Sequence, residues 1–284
     1  MKVLVTGSGG LVGRAVVEHC EAQRDDVFSY THKSLDITDA ASVDTTLEEL
    51  RPDAVINCAA WTDVDGCERD PDRAFRVNAL GSRNVAVACH DVSAACCYLS
   101  TDYVFDGAAA LAYTEFDAVR PLSIYGASKL AGERALQAHL RAHWIVRSSW
   151  LFGPGGKNFV KTILTKARSG EPLKVVNDQV GSPTYTLDLA HGIAKLIQEP
   201  RYGLWHLTNS GSCSWYELAC RALSARGLLS PGMVTPIDSI ALGHPAPRPL
   251  NSVLRNYCWE LEGWPLLRPW REALGDYLEH PELA

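Results

Sequence analysis

Tyr125 and Lys129 lie one helical turn apart in the stretch SIYGASKLAGE, residues 123 to 133. A free phenol has a pKa of about 10, which suits proton transfer poorly at neutral pH. An ammonium group four residues further along the same helix face favours the phenolate and lowers that pKa. The pair is therefore a candidate for general acid–base catalysis, and Thr101, at the end of an apolar run, is a candidate partner. The alternatives to a catalytic role are that Tyr125 and Lys129 form an ordinary surface pair and that Thr101 caps a turn.

The elements that would position these residues follow an alternating pattern through the first half of the chain. Apolar, strand-like runs alternate with helical periodicity at 39–50, 70–91 and 122–142; the runs are KVLVTG, DDVFSYTH, DAVINCAA, ACCYLSTDYVF and HWIVRSSWLFG. Such alternation is typical of a parallel sheet that helices cover on both faces. We predict an α/β fold, a Rossmann-like doubly wound parallel sheet, over residues 1–150.

Beyond about Phe152 the alternation loosens, and prolines are frequent between 231 and 249. We predict a smaller C-terminal substrate-binding lobe over most of 151–284, with a strand near 202–209 that returns to the first sheet. Open α/β sheets bind ligands beyond the carboxyl ends of their strands, so we expect a cleft between the sheet and this lobe.

A glycine-rich loop follows the first strand and opens the first helix. Gly7, Gly10 and Gly13 form the pattern T-G-x-x-G-x-x-G, which allows a tight turn and brings backbone amides close to a pyrophosphate. A tight turn without a ligand is the alternative, but the position of the loop in an alternating sheet favours a dinucleotide. The cofactor would supply a hydride, so the protein must supply and orient a proton donor. Tyr125 with Lys129 could do this for a ketone.

The choice of dinucleotide depends on the end of the second strand. An acid that binds the ribose is expected about 20 residues after the loop, but SYTHKS has none and carries His32 and Lys33 instead. These two residues could receive a 2′-phosphate, whereas Asp36 comes later and could meet the adenine. We therefore predict NADPH, with NADH as the alternative.

The composition excludes several classes of partner. The 284 residues carry a net charge of −6 without a basic run, which argues against nucleic acid and anionic membranes. The N-terminal apolar run ends at Gly7, too early for a signal-peptide core. Nine cysteines without Cys-x-x-Cys spacing indicate a reducing, cytoplasmic setting. His139 and His143 have metal-ligand spacing but no acidic third ligand, so we expect no metal.

Eight stretches give the chain a recognisable pattern: VTGSGGLVG, INCAAWTDVDGCE, VNALGS, LSTDYVFDG, PLSIYGASKLAGE, VRSSWLFGPGGKNFVKTIL, VNDQVGSPTY and RPLNSVL. Through them the chain resembles the extended short-chain dehydrogenase/reductases and, within these, the dTDP-4-dehydrorhamnose reductase family. The resemblance implies an NAD(P)H-dependent oxidoreductase that reduces the C4 ketone of dTDP-4-dehydro-L-rhamnose to dTDP-L-rhamnose, in deoxysugar nucleotide biosynthesis. A homodimer is compatible with it.

The resemblance also implies site residues. The catalytic residues would be Thr101, Tyr125 and Lys129. The predicted cofactor contacts include the glycine loop and the two basic residues. They are Gly7, Gly10, Leu11, Val12, Gly13, His32, Lys33, Asp36, Ile37, Ala59, Ala60, Tyr125 and Lys129. The predicted substrate contacts are Thr101, Asp102, Val104, Phe105, Tyr125, Trp150, Asn158 and Arg248, of which Arg248 could pair with the diphosphate of the nucleotide sugar.

Three other functions are weighed against this one. Related 4,6-dehydratases need an acid after the Thr-Asp pair, whereas Tyr103 stands there in this chain. Epimerases, or reductases of another nucleotide sugar, share the superfamily motifs but resemble VNDQVGSPTY less. A non-catalytic NADP-binding subunit, similar to the regulatory β subunit of methionine adenosyltransferase, is the alternative from another class.

Overall fold

A computed structural model describes residues 1–283 and shows strands and helices in alternation through the first half of the chain. The strands are β1 (Lys2–Thr6), β2 (Asp26–Tyr30), β3 (Ala54–Asn57), β4 (Ala95–Thr101), β5 (His143–Ser148), β6 (Leu151–Phe152), β7 (Leu173–Val176), β8 (Val180–Gly181), β9 (Thr184–Tyr185), β10 (Gly203–His206), β11 (Cys213–Ser214) and β12 (Val234–Ile237). The helices are α1 (Leu11–Ala22), α2 (Ala40–Leu50), α3 (Val64–Arg69), α4 (Pro71–Phe75), α5 (Ser82–Val92), α6 (Ile124–His139), α7 (Phe159–Arg168), α8 (Thr186–Ile197), α9 (Trp215–Ala225), α10 (Tyr257–Leu261) and α11 (Trp270–Glu279).

Within residues 1–283, the main sheet is parallel and six-stranded, in the order β10-β5-β4-β3-β1-β2. Alternate side chains of β1 enter two different cores: Val3 and Val5 pack with α1 and α8, whereas Leu4 packs with α2 and α5. Because both faces are covered, the central strands are apolar at almost every position rather than at every second one. The predicted α/β fold with a doubly wound parallel sheet is confirmed.

The second half of the chain forms a separate apolar cluster and also adds elements to the main sheet. Helices α7, α9 and α11 enclose a separate apolar cluster beside the short strand pairs β7–β12, β8–β11 and β6–β9. Helix α8 and strand β10 instead join the main sheet, where β10 pairs with β5. The covering layer of the sheet is therefore not confined to residues 1–150, and the division into 1–150 and 151–284 stays a prediction.

The segment expected to be one helix over 70–91 differs from that expectation. Helices α4 and α5 are joined by a π-helical segment, Arg76–Gly81, which widens the turn around Asn78. The Asn78 side chain is fully buried, accepts a hydrogen bond from Trp61 N at 2.8 Å and donates one to Ser128 Oγ at 2.9 Å. Single-turn π segments of this kind recur near functional sites, and this one joins the loop after β3 to α6.

A buried ion pair fixes α6 against the sheet. Glu133 accepts hydrogen bonds from Arg147 Nε at 2.8 Å and Nη2 at 2.6 Å, and from Ser100 Oγ at 2.5 Å. The two charged side chains are 3% and 4% exposed. Their mutual pairing satisfies charges that would be costly to bury alone.

We expect Glu133→Ala to lower the free energy of unfolding by about 3–5 kcal/mol, because it leaves the Arg147 charge buried and unpaired. Denaturant titration measures this change, with Glu49→Ala on the exposed face of α2 as the control. The double variant Glu133→Leu/Arg147→Met removes both charges and should be less destabilised than the sum of the two single changes. Wild-type stability in Glu133→Ala would contradict this account.

Candidate functional site

Thr101, Tyr125 and Lys129 line one cavity of about 450 Å³ at the carboxyl ends of the strands. Thr101 ends β4, while Tyr125 and Lys129 lie on the first turns of α6. The glycine loop lines the same cavity through residues 10 to 13. The cavity therefore brings the three predicted catalytic residues next to the loop predicted to bind a dinucleotide.

The start of α6 is held by contacts from both sides. Its N-cap residue Ser123 accepts a hydrogen bond from Gly126 N, and Glu68 accepts one from Ile124 N at 2.7 Å. Gly126 packs directly against the Tyr103 carbonyl, where a β-carbon would overlap that oxygen. The close approach presses the Tyr125 end of the helix onto the turn after β4.

Lys129 is 2% exposed and has two protein contacts. Its Nζ donates a hydrogen bond to the Leu99 carbonyl at 2.7 Å and lies 4.1 Å from the centre of the Tyr98 ring. Burial lowers the pKa of Lys129 to about 7, although the Glu133 carboxylate acts in the opposite direction. The amine can therefore gain or lose a proton near neutral pH.

The expectation that Lys129 lowers the pKa of Tyr125 is not met. Burial raises the pKa of Tyr125 above its ordinary value, and the neighbouring Thr101 hydroxyl offsets this only in part. The physical reason is that desolvation disfavours both charged forms, so the phenol stays protonated while the amine approaches neutrality. A protonated phenol is the form that a proton donor needs.

Asp102 is a second titratable group of this cavity. It is 3% exposed, and its Oδ1 accepts a hydrogen bond from the Thr101 hydroxyl at 3.1 Å. Burial raises the pKa of Asp102 to about 7, against the opposing effects of the Ser252 and Thr101 hydroxyls. The charge beside Thr101 therefore depends on pH in the neutral range.

We expect Asp102→Asn to become more stable relative to the wild type as pH rises from about 4 to about 7. In this window the folded wild type binds more protons at Asp102 than the unfolded chain, so its stability falls as pH rises, whereas asparagine does not titrate. Urea unfolding of both proteins across the window measures the difference, and Asp72→Asn on the exposed surface is the control. A pH-independent difference would rule out this titration.

The glycine loop has the shape that a pyrophosphate requires. Gly7 has φ of +67°, and a β-carbon there would lie 2.6 Å from Ala59 N, so only glycine fits. Gly10 is the N-cap of α1 and supplies no side-chain cap, and the first turn of α1 has no acidic residue. The amides at this helix end can therefore receive an anion. The residues present fit a dinucleotide.

A cavity of about 560 Å³ continues from this loop past the end of β2. Asp36 is engaged locally there, because its Oδ1 accepts hydrogen bonds from Thr38 N and Oγ1, both at 2.9 Å. Arg73, which the sequence did not single out, also lines this cavity and lies 4.4 Å from the Trp61 ring centre. The other predicted cofactor residues that line it are Gly7, Gly10, His32, Lys33, Ile37, Ala59 and Ala60.

The predicted substrate residues separate into two groups. Asp102 and Trp150 line the 450 Å³ cavity, and Arg248 lines an adjoining cavity of about 230 Å³. Val104 and Phe105 are fully buried in a separate apolar cluster and line neither cavity. The reason is that β4 ends at Thr101 and a 3₁₀ turn follows, which directs these two side chains into the core.

Asn158, the N-cap of α7, lines neither cavity, although its neighbours Lys157 and Phe159 line one each. Its side chain accepts a hydrogen bond from Lys161 N at 3.0 Å and donates hydrogen bonds to Gly153 O at 2.9 Å and to Tyr277 Oη at 2.8 Å. These bonds occupy the amide in helix capping and lobe packing.

Trp150 forms a wall between the two cavities together with a residue that the sequence did not reveal. Its ring stacks on Trp215 with centroids 3.5 Å apart and an interplanar angle of 5°. Trp215 lines both cavities. Trp150 has φ of +48°. This conformation is uncommon for a bulky residue, and strained residues of this kind cluster at functional sites.

The sequence also predicted that the chain has no metal site and does not associate with membranes. His143 Nδ1 donates to the Leu140 carbonyl at 2.6 Å, and residues 1–283 contain no group of three or more His, Cys, Asp or Glu arranged to hold a metal ion. In the same range, no helix combines the length and apolar character needed to cross a bilayer.

Comparisons with known proteins identify the family. The family model described as RmlD substrate binding domain matches residues 1–282. A dTDP-4-dehydrorhamnose reductase of Streptomyces griseus is 41% identical over 277 residues, covering 95% of this chain and 91% of that protein. A solved dTDP-4-dehydrorhamnose reductase of Clostridium acetobutylicum has a TM-score of 0.95 and 43% identity, covering 98% of this chain and 99% of the other.

A third relative adds a bound molecule. The solved dTDP-4-dehydrorhamnose reductase of Bacillus anthracis, in complex with NADP, has a TM-score of 0.95 and 40% identity, covering 98% of this chain and 99% of its own. These matches span nearly the whole chain and confirm the family predicted from the motifs. The chain therefore belongs to the RmlD, or dTDP-4-dehydrorhamnose reductase, family of extended short-chain dehydrogenase/reductases.

Proposed function

We propose that this protein uses NADPH to reduce the C4 ketone of dTDP-4-dehydro-L-rhamnose to dTDP-L-rhamnose, with Tyr125 as the proton donor. The observation that carries the proposal is the shared cavity, in which Thr101, Tyr125 and Lys129 lie beside the N-terminus of α1. The names of relatives about 40% identical support the substrate class and the reaction. The NADP in one of them supports the cofactor.

Each residue has a role in this proposal. The bound dinucleotide supplies a hydride to the C4 carbon. Tyr125 gives its proton to the carbonyl oxygen, so the ketone becomes a secondary alcohol and the phenol becomes a phenolate. Thr101 donates a hydrogen bond to the same oxygen. Lys129, whose pKa near 7 allows proton exchange, holds the cofactor ribose and helps to return a proton to Tyr125.

The cofactor end and the substrate end are proposed to use different residues. Gly7, Gly10, Leu11, Val12 and Gly13 would hold the pyrophosphate at the start of α1, and His32 and Lys33 would receive the 2′-phosphate. Asp36, Ile37, Ala59 and Ala60 would border the adenosine and its linker. Trp150 would pack against the sugar and Arg248 would meet the diphosphate.

The test mixes purified protein with NADPH and dTDP-4-dehydro-L-rhamnose and follows absorbance at the nicotinamide band. We expect the absorbance to fall and one equivalent of dTDP-L-rhamnose to form per NADPH consumed. NADPH binding without any fall would favour the regulatory-subunit alternative. Inversion of a sugar carbon without net consumption of NADPH would favour an epimerase, and a panel of bases and sugars identifies the preferred nucleotide sugar.

We also propose a cytoplasmic location and a homodimer. Nine cysteines, all unpaired, support a reducing compartment. Cell fractionation tests the location, and light scattering of the purified protein tests the oligomeric state.

A further inference from the structure

A carboxylate of α3 holds the Pro-rich segment 244–250 across the cleft. Asp65 Oδ2 accepts a hydrogen bond from Arg248 Nη2 at 3.0 Å, and Oδ1 accepts bonds from Arg248 Nη1 at 3.2 Å and Ala246 N at 3.1 Å. His244 Nδ1 lies 3.3 Å from Oδ2. We call these four residues the Asp65 clasp. The Asp65 and Arg248 side chains are 22% and 17% exposed, so this bidentate pair is better shielded than a typical surface ion pair.

The hydrogen bonds that Arg248 makes to Asp65 and Ala246 leave one edge of its guanidinium group for other partners, and the Tyr103 hydroxyl lies near the group. A guanidinium has five N–H donors in a rigid fork. Both donors of Nη1 are used, one by Asp65 and one by the Ala246 carbonyl at 3.0 Å, and one donor of Nη2 is used by Asp65. The remaining donors, on Nε and Nη2, lie along the other edge, which matches two oxygens of a phosphate.

Arg248, which carries this edge, lines the 230 Å³ cavity together with Lys174 and His244. Tyr103 lines the same cavity, and its ring packs edge-on against Tyr125 with centroids 5.7 Å apart. A diphosphate at Arg248 would therefore lie one aromatic ring away from the phenol that reacts with the sugar. This separation suits a ligand whose sugar is joined directly to its diphosphate.

The Asp65 carboxylate of the clasp remains charged at neutral pH. Burial acts to raise the pKa of Asp65, but the hydrogen bonds from Arg248 and the Ala246 amide outweigh it and lower the pKa. A long arginine side chain loses considerable rotamer freedom when it is fixed in one place. Because the bonds to Asp65 already fix the Arg248 side chain, that loss does not fall on substrate binding.

We propose that Asp65 is a positioning residue for the nucleotide sugar, which fixes Arg248 so that its free guanidinium edge receives the diphosphate. The inference rests on the proposed function, since it concerns the same substrate, and it adds a role for a residue that does not itself touch the ligand.

The test measures the affinity of dTDP and of NADPH by titration calorimetry for the wild type, Asp65→Ala and Asp65→Asn. We expect Asp65→Ala to weaken dTDP binding roughly 10- to 100-fold, the usual effect of losing hydrogen bonds to a charged group. NADPH affinity should stay unchanged. The KM for the nucleotide sugar should rise while kcat changes little, because the contact acts on binding in both ground and transition states. Asp72→Asn, on neighbouring α4, is the matched control.

A double-mutant cycle separates positioning from general loosening of the fold. Once Arg248 is replaced by alanine, the further change Asp65→Ala should have no additional effect on dTDP affinity. Unchanged dTDP affinity in Asp65→Ala, or equal weakening of dTDP and NADPH, overturns the inference. If Asp65→Ala does not fold, the isosteric Asp65→Asn decides by the same comparison. A wild type that binds no dTDP overturns the proposed substrate as well, which distinguishes the two failures.

Discussion

Tyr125→Phe is expected to lower kcat by about 10²- to 10⁴-fold, the range that a positioned general acid contributes. The change removes only the hydroxyl, and phenylalanine keeps the ring that packs edge-on against Tyr103. The fold and the cofactor site should therefore persist. Steady-state oxidation of NADPH measures kcat, and quenching of protein fluorescence measures NADPH binding, which should stay at the wild-type value.

The matched control for this change is Tyr202→Phe, which removes the same hydroxyl from a half-exposed side chain outside the cavity. It should leave kcat unchanged. In the reverse direction, alcohol oxidation needs the phenolate, and burial raises the pKa of Tyr125 above its ordinary value. Reverse turnover by the wild type should therefore increase towards alkaline pH. Normal reduction by Tyr125→Phe would exclude Tyr125 as the proton donor.

Lys129→Met is expected to weaken NADPH binding by about 1.5–3 kcal/mol, or roughly 10- to 100-fold in Kd, the effect of removing a hydrogen bond from a charged group. The kcat should fall as well, because Lys129 is also proposed to help return a proton to Tyr125. Methionine has a similar length and is apolar, so it fits the buried site beside Tyr98.

The pH dependence of NADPH binding gives a second readout for Lys129. Burial lowers the pKa of this amine to about 7 from 10.5, so the ligand-free protein loses the charge as pH rises above about 7. Binding that requires the ammonium then needs proton uptake, and the wild-type Kd should rise with pH. Calorimetry at several pH values should show no such rise for Lys129→Met, whereas Lys166→Met on the exposed part of α7 should follow the wild type. Identical pH profiles in all three proteins would contradict this role.

Local patterns were enough to predict several features of this protein. Central strands of a parallel sheet covered on both faces are apolar at almost every position, and that composition is visible in the sequences of β1, β3 and β4. The four-residue spacing of Tyr125 and Lys129 likewise fixes their common direction on a helix. The glycine loop could be predicted because its backbone requires residues without a β-carbon at given positions.

Side-chain directions at the ends of elements could not be predicted. Val104 and Phe105 follow β4, and the family resemblance predicted them at the substrate, but a 3₁₀ turn directs them into the core. Asn158 is a helix cap, a role that uses the same residue type as a binding site does. Residues distant in the sequence complete both arrangements, since Leu254 packs in the same cluster as Val104 and Phe105, and Tyr277 accepts a hydrogen bond from the Asn158 amide.

The sequence by itself determined the alternation of strands and helices in the first half of the chain, the glycine loop and the pairing of a phenol with an amine, since all three depend on spacing within a few residues. Only the tertiary structure decided which side chains meet across the cleft, such as Trp150 with Trp215 and Asp65 with Arg248, and which charges are stable there. The physical reason is that desolvation and long-range contacts depend on the folded surroundings of a group. Burial by distant segments, rather than the neighbouring Lys129, sets the protonation state of Tyr125.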